Sequence, residues 1–453
     1  MPASSPESED RGSYRRIWAL AWPTLVYSVL ELSLGTADFL MVRGLGSEAT
    51  AAIGLNRQVT FLLESAALAV ATGVITLVSQ GVGAGNRAQV DGAVRQSFRL
   101  VVLLGVPTTL VGYLASRPLL TALQASAETL AHGVPYLHIY FLGTLFLWTS
   151  VVAAAVFRGT GDTLTPLKLA AVVSVLNIGL NYVFVFGVGA VPAYGVAGAA
   201  IGTVAARGLG AAVYLVLLVR GTPHARLRVR PWGGVDWGLV RRILRIGTSP
   251  ALAAIARNGA RLVYLALLGV VPLGASLHAA VGVGLQVRLV SVLPALAFQV
   301  ASATLVGQAV GARRFDLAHS VGQRSVLLLG LIMAGVVAAT FVLAEPIAAL
   351  FIVDPEVAAL GATVLRWFAV AQFFSSLSIG TQGALTGAGD TKPIFRYTVA
   401  TQWGVLLALT LILLIGLGWE PEGALLAWVA APAVQVLLMQ RLFRSGRWRT
   451  LRV

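Results

Sequence analysis

Cysteine is missing from this chain of 453 residues, and charged residues are scarce, at 11% of the total. The absence of cysteine excludes disulfides, thiolate zinc sites and iron–sulfur clusters. Soluble globular proteins carry roughly 25% charged residues. So little charge, together with 57% hydrophobic residues and a mean hydropathy of +0.83, excludes a water-soluble enzyme of this length.

Histidine is sparse as well. The five histidines are dispersed along the chain, at His132, His138, His224, His278 and His319. This pattern lacks the short spacings typical of a metal site, and no pairing of a nucleophile with a base stands out. We therefore expect no metal site built on a histidine cluster, no cofactor and no enzymatic activity.

Long apolar runs, in contrast, are abundant. A helix that crosses a bilayer needs roughly 20 mostly apolar residues, because backbone groups in lipid must be satisfied within the helix. The runs between charge clusters predict an all-α integral membrane protein with twelve transmembrane helices. The predicted spans are 17–42, 52–83, 98–116, 132–157, 165–188, 194–219, 245–270, 278–311, 325–344, 360–386, 394–417 and 422–441.

The basic residues are placed unevenly between these spans. The net charge is +15, and most of the 33 lysines and arginines fall on one side if the N-terminus is cytoplasmic. Because basic loops stay in the cytoplasm, we predict a prokaryotic plasma (inner) membrane protein with both termini cytoplasmic. Topology thus accounts for the positive charge, and no nucleic-acid partner is expected.

The two halves of the chain are related by an internal repeat. When the halves are aligned without gaps so that Thr76 falls on Thr304, 76–84 (TLVSQGVGA) match 304–312 (TLVGQAVGA) at seven of nine positions, and Gly159–Thr163 matches Gly387–Thr391. We call this the repeat alignment. Each half holds six spans, an even number, so both halves enter the membrane from the same side as a parallel repeat. This pattern is typical of a two-lobe secondary transporter.

The domain limits follow from these spans and from the charge clusters. They predict a cytoplasmic tail at 1–16, an N-lobe of six spans at 17–219, a basic cytoplasmic linker at 220–245 with a turn at 231–234, a C-lobe of six spans at 246–441, and a basic cytoplasmic tail at 442–453.

Three motifs resemble the multidrug and toxic compound extrusion (MATE) transporters. They are Ala37–Ala49 (ADFLMVRGLGSEA), Arg158–Thr163 (RGTGDT) followed by Pro166 and repeated at Thr386–Pro393, and Asn177–Phe184 (NIGLNYVF). The resemblance implies two lobes over a central cavity and export of amphipathic or cationic organic compounds in exchange for H⁺ or Na⁺ by alternating access. It implies small amphipathic substrates and membrane lipids as partners, and we expect a monomer.

Ionisable side chains inside spans are costly and point to function. Eight lie well inside the predicted spans: Glu31, Asp38, Glu64, Arg207, Arg257, Arg261, Arg288 and Arg366. The resemblance implies that Asp38 couples the cation. Glu31 shares its helix face, and the preceding Pro23 favours a kink. The alternative for Asp38 is neutralisation by an arginine, and Glu64 could pair with Arg57.

Two asparagines with i, i+4 spacing, Asn177 and Asn181, share one face of the fifth span. Their amides can coordinate Na⁺ or hold a carboxyl group, and the alternative role is packing between helices. The MATE motif has an aspartate where Asn181 stands, so a tight Na⁺ site at Asp38, Asn177 and Asn181 is disfavoured but left open. The resemblance also suggests Tyr136 and Thr203 as polar contacts; Tyr140 lies one turn from Tyr136 and could line the same cavity, and packing is the alternative for each.

The second half has no acid inside a span. Asn258 and Ser375 stand where some MATE members carry carboxylates, so coupling is expected in the N-lobe, as in the DinF-type branch. Arg257, Arg261 and Arg288 could pair with Glu31 or Glu64, or extend their charges towards the membrane surface. The other interpretation is a cationic wall, in a flippase or exporter of lipid-linked or anionic substrates.

Overall fold

The computed structural model describes residues 6–227, 234–271 and 274–450. Within these ranges the protein is helical, and β-pairing is limited to one isolated bridge between Val188 and Val191. Parts of the predicted tails and linker, at 1–5, 228–233 and 451–453, lie outside the described residues, as do three of the four residues of the predicted turn at 231–234.

Seven helices form the first half, and α4 and α5 together make the predicted fourth span, with a bend of 53° between them. Gly143 lies at the bend, where a Cβ atom would overlap the side chain of Val204. The helices are α1 (Pro6–Arg43), α2 (Ser47–Gly83), α3 (Arg87–Ala122), α4 (Ala127–Leu142), α5 (Thr144–Thr160), α6 (Leu164–Phe186) and α7 (Val196–Arg220).

The second half repeats this order with different breaks. Its helices are α8 (Trp237–Leu268), α9 (Gly274–Ser291), α10 (Leu293–Gly311), α11 (Phe315–Phe351), α12 (Pro355–Ala388), α13 (Lys392–Val399), α14 (Leu407–Thr410) and α15 (Glu422–Arg444). Helices α9 and α10 make one span, and π-helical turns at Ala400–Leu406 and Leu411–Gly416 join α13 and α14 into another.

The twelve predicted spans are confirmed in the described ranges. Eleven helices are long and apolar enough to cross a membrane, and the bent α4–α5 pair is the twelfth. Most helices run past the predicted limits, because their charged ends stay helical beyond the apolar segment. Helix α1 already begins at Pro6, within the segment predicted to be a tail, and proline is favoured at the first helical position.

The chain divides into two compact units. The N-unit is Val26–Thr248, and the C-unit combines the residues up to Leu25 with those from Ser249 onwards. Helices α1 and α8 therefore each pass from one unit to the other in mid-helix. Both passages lie close to a proline inside the helix, Pro23 and Pro250, where one backbone hydrogen bond is missing and bending is cheaper.

Equivalent glycine contacts in the two units confirm the internal repeat. A Cβ atom on Gly159 would lie 3.1 Å from the carbonyl oxygen of Ile75, and one on Gly387 would overlap the carbonyl group of Ala303. The repeat alignment places Gly159 on Gly387 and Ile75 on Ala303. In both units, the absence of a side chain lets two helices touch at the same place.

The doubled Gly-x-Gly-Asp-Thr motif is a helix-ending loop. Gly161 and Gly389 end their helices in the left-handed conformation, with φ of 94° and 84°, which glycine adopts without strain. In the first copy, Asp162 accepts hydrogen bonds from the backbone N–H of Thr165 at 2.9 Å and from its hydroxyl at 2.6 Å. The motif therefore has a structural role.

An apolar cluster holds the helices of the N-unit together near one end of α1. Val42 of α1, Ile53 of α2, Val185 of α6 and Val196 of α7 pack in it, with Tyr136 of α4 against them. Val42 lies one turn after Asp38. The cluster therefore fixes the spacing of the helices that carry the predicted site.

Candidate functional site

Asp38 of α1 is bound directly to Asn181 of α6. The Nδ2 of Asn181 donates to the Oδ1 of Asp38 at 2.6 Å and to the Oδ1 of Asn177 at 3.1 Å. Both asparagine side chains are fully buried, whereas Asp38 is only partly buried. The carboxylate thus lies at the accessible end of a buried chain of amides.

Thr203 of α7 completes this chain. Its hydroxyl accepts from the Nδ2 of Asn177 at 3.0 Å, and it is also placed to donate to the Asp38 carboxylate. We call Asp38, Asn177, Asn181 and Thr203 the polar network. Three helices contribute to it, and the structure adds Thr203 to the three residues that the sequence analysis grouped as a possible cation site, Asp38, Asn177 and Asn181.

Close contact between α6 and α7 makes the polar network possible. A Cβ atom on Gly202 would overlap the Oδ1 of Asn181, and one on Gly198 would overlap the backbone at Phe184. The Oδ1 of Asn181 is buried and has no hydrogen-bond partner in the described structure. Gly202, which the sequence analysis did not single out, therefore leaves the space that this amide occupies.

Replacing Gly202 by alanine is expected to displace the Asn181 amide and to destabilise the protein by about 1–3 kcal/mol, the usual cost of overpacking. Gly208→Ala on the same helix is the matched control, since its Cβ would lie 3.7 Å from the Phe146 ring, an ordinary contact. Thermal unfolding in detergent measures both. Equal unfolding temperatures for the two variants would show that α6 and α7 are not in such close contact.

Glu31 has a different environment from Asp38. Its Oε2 accepts from Arg207 of α7 at 2.8 Å, and the side chains are 33% and 19% exposed, respectively. In the described structure Asp38 forms no ion pair. The acid of α1 that an arginine neutralises is Glu31, not Asp38. The sequence places Arg207 inside a span but assigns it no role. Its position one turn after Thr203, on the same helix, was the signal that could have placed it near the predicted site.

Tyr136 and Tyr140 of α4 stack with ring centroids 5.9 Å apart. The buried hydroxyl of Tyr140 donates to the Oε1 of Glu64 at 2.9 Å. Within the described residues Glu64 forms no ion pair with Arg57. Its side chain accepts a hydrogen bond from Tyr140 instead. These two aromatic rings and one exposed acid lie in the same unit as the polar network.

Tyr27 was missed by the sequence analysis. The guanidinium of Arg158 lies 4.2 Å from the centroid of its ring, which is cation–π geometry. Tyr27 precedes Glu31 by four residues and Asp38 by eleven, so helical spacing on α1 was the signal that could have identified it.

The polar network has no counterpart in the C-unit. In the repeat alignment, its four members correspond to apolar residues, Ala266, Val405, Leu409 and Ala431. The predicted site residues of the second half, Arg257, Asn258, Arg261 and Arg288, belong to the C-unit, on α8 and α9. The two units share a fold but carry different polar chemistry.

These features define a class, the helical multi-pass membrane proteins built from a parallel repeat of two halves with six spans each. The MatE family model matches this chain twice, at residues 23–183 and 251–412. The chain belongs to the MatE family, which confirms the resemblance seen in the motifs.

Known relatives span nearly the whole chain. A probable multidrug resistance protein, NorM of Thermotoga maritima, is 26% identical over 444 residues, covering 98% of this chain and 95% of NorM. The multidrug resistance protein MdtK of Pectobacterium atrosepticum is 28% identical over 457 residues, covering 96% and 97%.

Solved structures show the same fold. An outward-facing multidrug resistance MATE transporter of the MOP superfamily superposes with a TM-score of 0.88 at 20% identity, covering 96% of this chain and 95% of that one. A MOP superfamily transporter from Pyrococcus furiosus, described as having a binding pocket of reverse polarity, matches with the same TM-score, identity and coverage.

Proposed function

We propose that this protein exports amphipathic organic cations across the prokaryotic plasma membrane in exchange for H⁺, by alternating access, with Asp38 as the coupling carboxylate. The observation that carries the proposal is the bonding of Asp38, whose hydrogen-bond donors are neutral side chains. The names of the curated relatives support multidrug export. The polar network lies in the N-unit, and this supports placing the protein in the DinF-type branch, in which coupling is expected in the N-lobe.

Asp38 can take up a proton without breaking an ion pair. Glu31 cannot, because its proton would compete with Arg207 at 2.8 Å. A protonated Asp38 needs an acceptor for its new hydroxyl group, and the partner-free Oδ1 of Asn181 can become one if that amide rotates. The polar network thus has a hydrogen-bonding arrangement for each protonation state.

Substrate and proton compete for the same carboxylate in this mechanism. A bound organic cation is stabilised by charged Asp38, and the partly buried ring of Tyr136, which stacks on Tyr140, offers an aromatic face for flat cations. Protonation removes the negative charge and repacks α1, which weakens the substrate's binding and releases it outward. The partly buried position of Asp38 makes it accessible to both ligands.

Na⁺ is the alternative coupling ion. It would be coordinated by oxygens of Asp38, Asn177 and Asn181, but the amide Nδ2 of Asn181 faces both of the other two residues. A sodium ion would therefore have to displace two hydrogen bonds, and a single carboxylate supplies its only full charge. This arrangement favours H⁺.

Proteoliposomes test the coupling ion. Ethidium carries a permanent charge, so acid trapping cannot explain its accumulation. We expect uptake of ethidium into vesicles with an acidic lumen, and none above protein-free vesicles when only a Na⁺ gradient is imposed at equal pH. Uptake driven by Na⁺ alone would show that H⁺ is not the coupling ion. No response to either gradient would refute coupled export.

The orientation is tested by single cysteines, which are clean probes because the chain has none of its own. Ala84 and Ala312 are repeat-related loop residues predicted inside, and Ala125 and Val353 are the repeat-related pair predicted outside. We expect a membrane-impermeant maleimide to label Ala125→Cys and Val353→Cys on intact cells. The other two should be labelled only after permeabilisation. Labelling of one member of each pair would contradict the parallel topology.

A further inference from the structure

Two arginines inside the spans are neutralised by acids of their own unit. Arg207 pairs with Glu31 at 2.8 Å in the N-unit, and Arg366 pairs with Glu345 at 2.9 Å in the C-unit. A charged side chain at membrane depth is costly unless it is paired or reaches a water-filled cavity. These two follow that rule.

Three other arginines do not. Arg257, Arg261 and Arg288, called here the arginine triad, form no ion pair and no side-chain hydrogen bond within the described ranges, and each is half-buried. From Ser249 onwards, the acids of the C-unit lie towards helix ends or in loops: Asp316, Glu345, Asp354, Glu356, Asp390, Glu420 and Glu422. Among the described residues of the C-unit, the triad is therefore a concentration of positive charge without an acidic partner.

The fold brings the triad together. Arg257 and Arg261 share a face of α8 through their i, i+4 spacing, and the charges of both act on Arg288 of α9. Helices α8 and α9 pack through an apolar cluster that includes Tyr264 and Leu277. Since like charges repel, this placement lowers stability unless an anion joins them.

A small cleft lies beside Arg288, between α9, α11 and α12, and its enclosed space holds about one water molecule. Most of its lining is apolar, with Met333, Val336 and Phe368 among the contributors. Gln372 also lines it and is 4% exposed, and its Oε1 has no hydrogen-bond partner while its Nε2 donates to Ser376 at 3.1 Å. Rotation of this amide would let Oε1 accept from the serine hydroxyl and would free Nε2 to donate to another acceptor.

The fold does not require these charges. In the repeat alignment, the triad corresponds to Val29, Ser33 and Thr60 in the N-unit, which are uncharged. The N-unit forms the same helices without them. A purely structural role therefore does not explain the triad.

We propose that the arginine triad and Gln372 form an anion site, which takes the carboxylate, sulfonate or phosphate head of an amphipathic organic anion. Planar guanidinium groups match the oxygens of such heads with paired, charge-assisted hydrogen bonds. The site adds a second class of ligand to the proposed cation export and does not depend on Asp38. A free anion and an anionic lipid share this head chemistry.

A matched pair of fluorescent probes tests the site on the full chain in phosphatidylcholine nanodiscs, with empty nanodiscs subtracted. The probes are 1-anilinonaphthalene-8-sulfonate and N-phenyl-1-naphthylamine, which differ by the sulfonate. We expect wild type to bind the sulfonate more tightly than the uncharged probe. Equal affinities in wild type would overturn the proposal without any variant.

The triple variant Arg257→Gln/Arg261→Gln/Arg288→Gln is expected to lose affinity for the sulfonate by at least about tenfold, as for loss of charged hydrogen bonds. Its affinity for the uncharged probe should be unchanged. The matched control Arg366→Gln removes an arginine that is already paired and should bind both probes like wild type. A triple lysine variant, which keeps the charges, should retain most of the sulfonate binding.

Thermal unfolding separates a ligand site from a structural one. Removing uncompensated charges should raise the unfolding temperature of the ligand-free triple glutamine variant, and the sulfonate should stabilise wild type but not this variant. Replacing part of the phosphatidylcholine by phosphatidylglycerol shows whether the ligand is an anionic lipid or a free anion. If the lipid head binds the site, sulfonate binding weakens in wild type but not in the triple glutamine variant. If sulfonate binding is unchanged in wild type, the site takes free anions.

The two proposals fail separately. Asp38→Asn should keep sulfonate binding, and the triple glutamine variant should keep ethidium uptake driven by the pH gradient. The expected result is sulfonate binding that follows the charge of the triad. Sulfonate affinity that is the same in wild type and in the folded triple glutamine variant would overturn the anion site.

Discussion

Replacing Asp38 by asparagine is expected to reduce pH-driven ethidium uptake to the level of protein-free vesicles. The new amide has nearly the shape of the carboxylate. Its oxygen can still accept the hydrogen bond from the Nδ2 of Asn181, which measures 2.6 Å to Asp38. It can neither bind a proton in this pH range nor attract a cation. The initial rate of ethidium uptake into vesicles with an acidic lumen measures the loss, and the unfolding temperature checks that the fold is intact.

Glu64→Gln is the matched control for Asp38→Asn. It also replaces an acid of the N-unit by its amide, and the amide oxygen can accept from Tyr140 as the carboxylate does at 2.9 Å. Its uptake rate should stay close to wild type. Coupling would be misassigned if the Asp38 variant still concentrated ethidium, or if both variants lost uptake equally.

Arg207→Gln is expected to destabilise the protein by roughly 2–4 kcal/mol, because it leaves the partly buried Glu31 carboxylate without its cation. The reverse change, Glu31→Gln, should destabilise for the same reason. The double variant Glu31→Gln/Arg207→Gln should be more stable than either single variant, since no charge is left alone. Unfolding of the four proteins in detergent measures this coupling.

Arg366→Gln provides the comparison for the Arg207 variant. Arg366 and Glu345 form an ion pair of similar length, 2.9 Å, but with side chains 37% and 74% exposed. Glu345 lies one residue past the predicted span 325–344, so this pair is at the membrane surface, where water can solvate the freed carboxylate. Exposed pairs contribute only about 0–1 kcal/mol, so this change should barely alter the unfolding temperature. Equal effects at Arg207 and Arg366 would contradict a buried structural pair at Glu31.

The sequence predicts the spans well, because the cost of unsatisfied backbone groups in lipid leaves a strong apolar signal. The bend at Gly143 was not predicted, since a glycine inside an apolar run looks like any other residue of the span. The π-helical turns at Ala400–Leu406 and Leu411–Gly416 were missed for a similar reason, because their composition is that of an ordinary membrane helix.

The candidate site could be predicted only in part. Helical spacing places Asn177 and Asn181 on one face, but it cannot bring them to Asp38, which lies 143 residues before Asn181 in the chain. Likewise, the partner of Glu31 lies 176 residues away, on α7. Both contacts join α1 to another helix, and helical spacing within one span does not specify how helices that are distant in the chain pack together.

Competition between proton and substrate at Asp38 is tested most directly by the protons released when ethidium binds to the purified protein. A weakly buffered solution with a pH-sensitive dye reports this release over a series of starting pH values. We predict release from wild type and from Glu64→Gln, and none from Asp38→Asn. Equal release from the Asp38 variant and wild type would contradict a coupling role for this carboxylate.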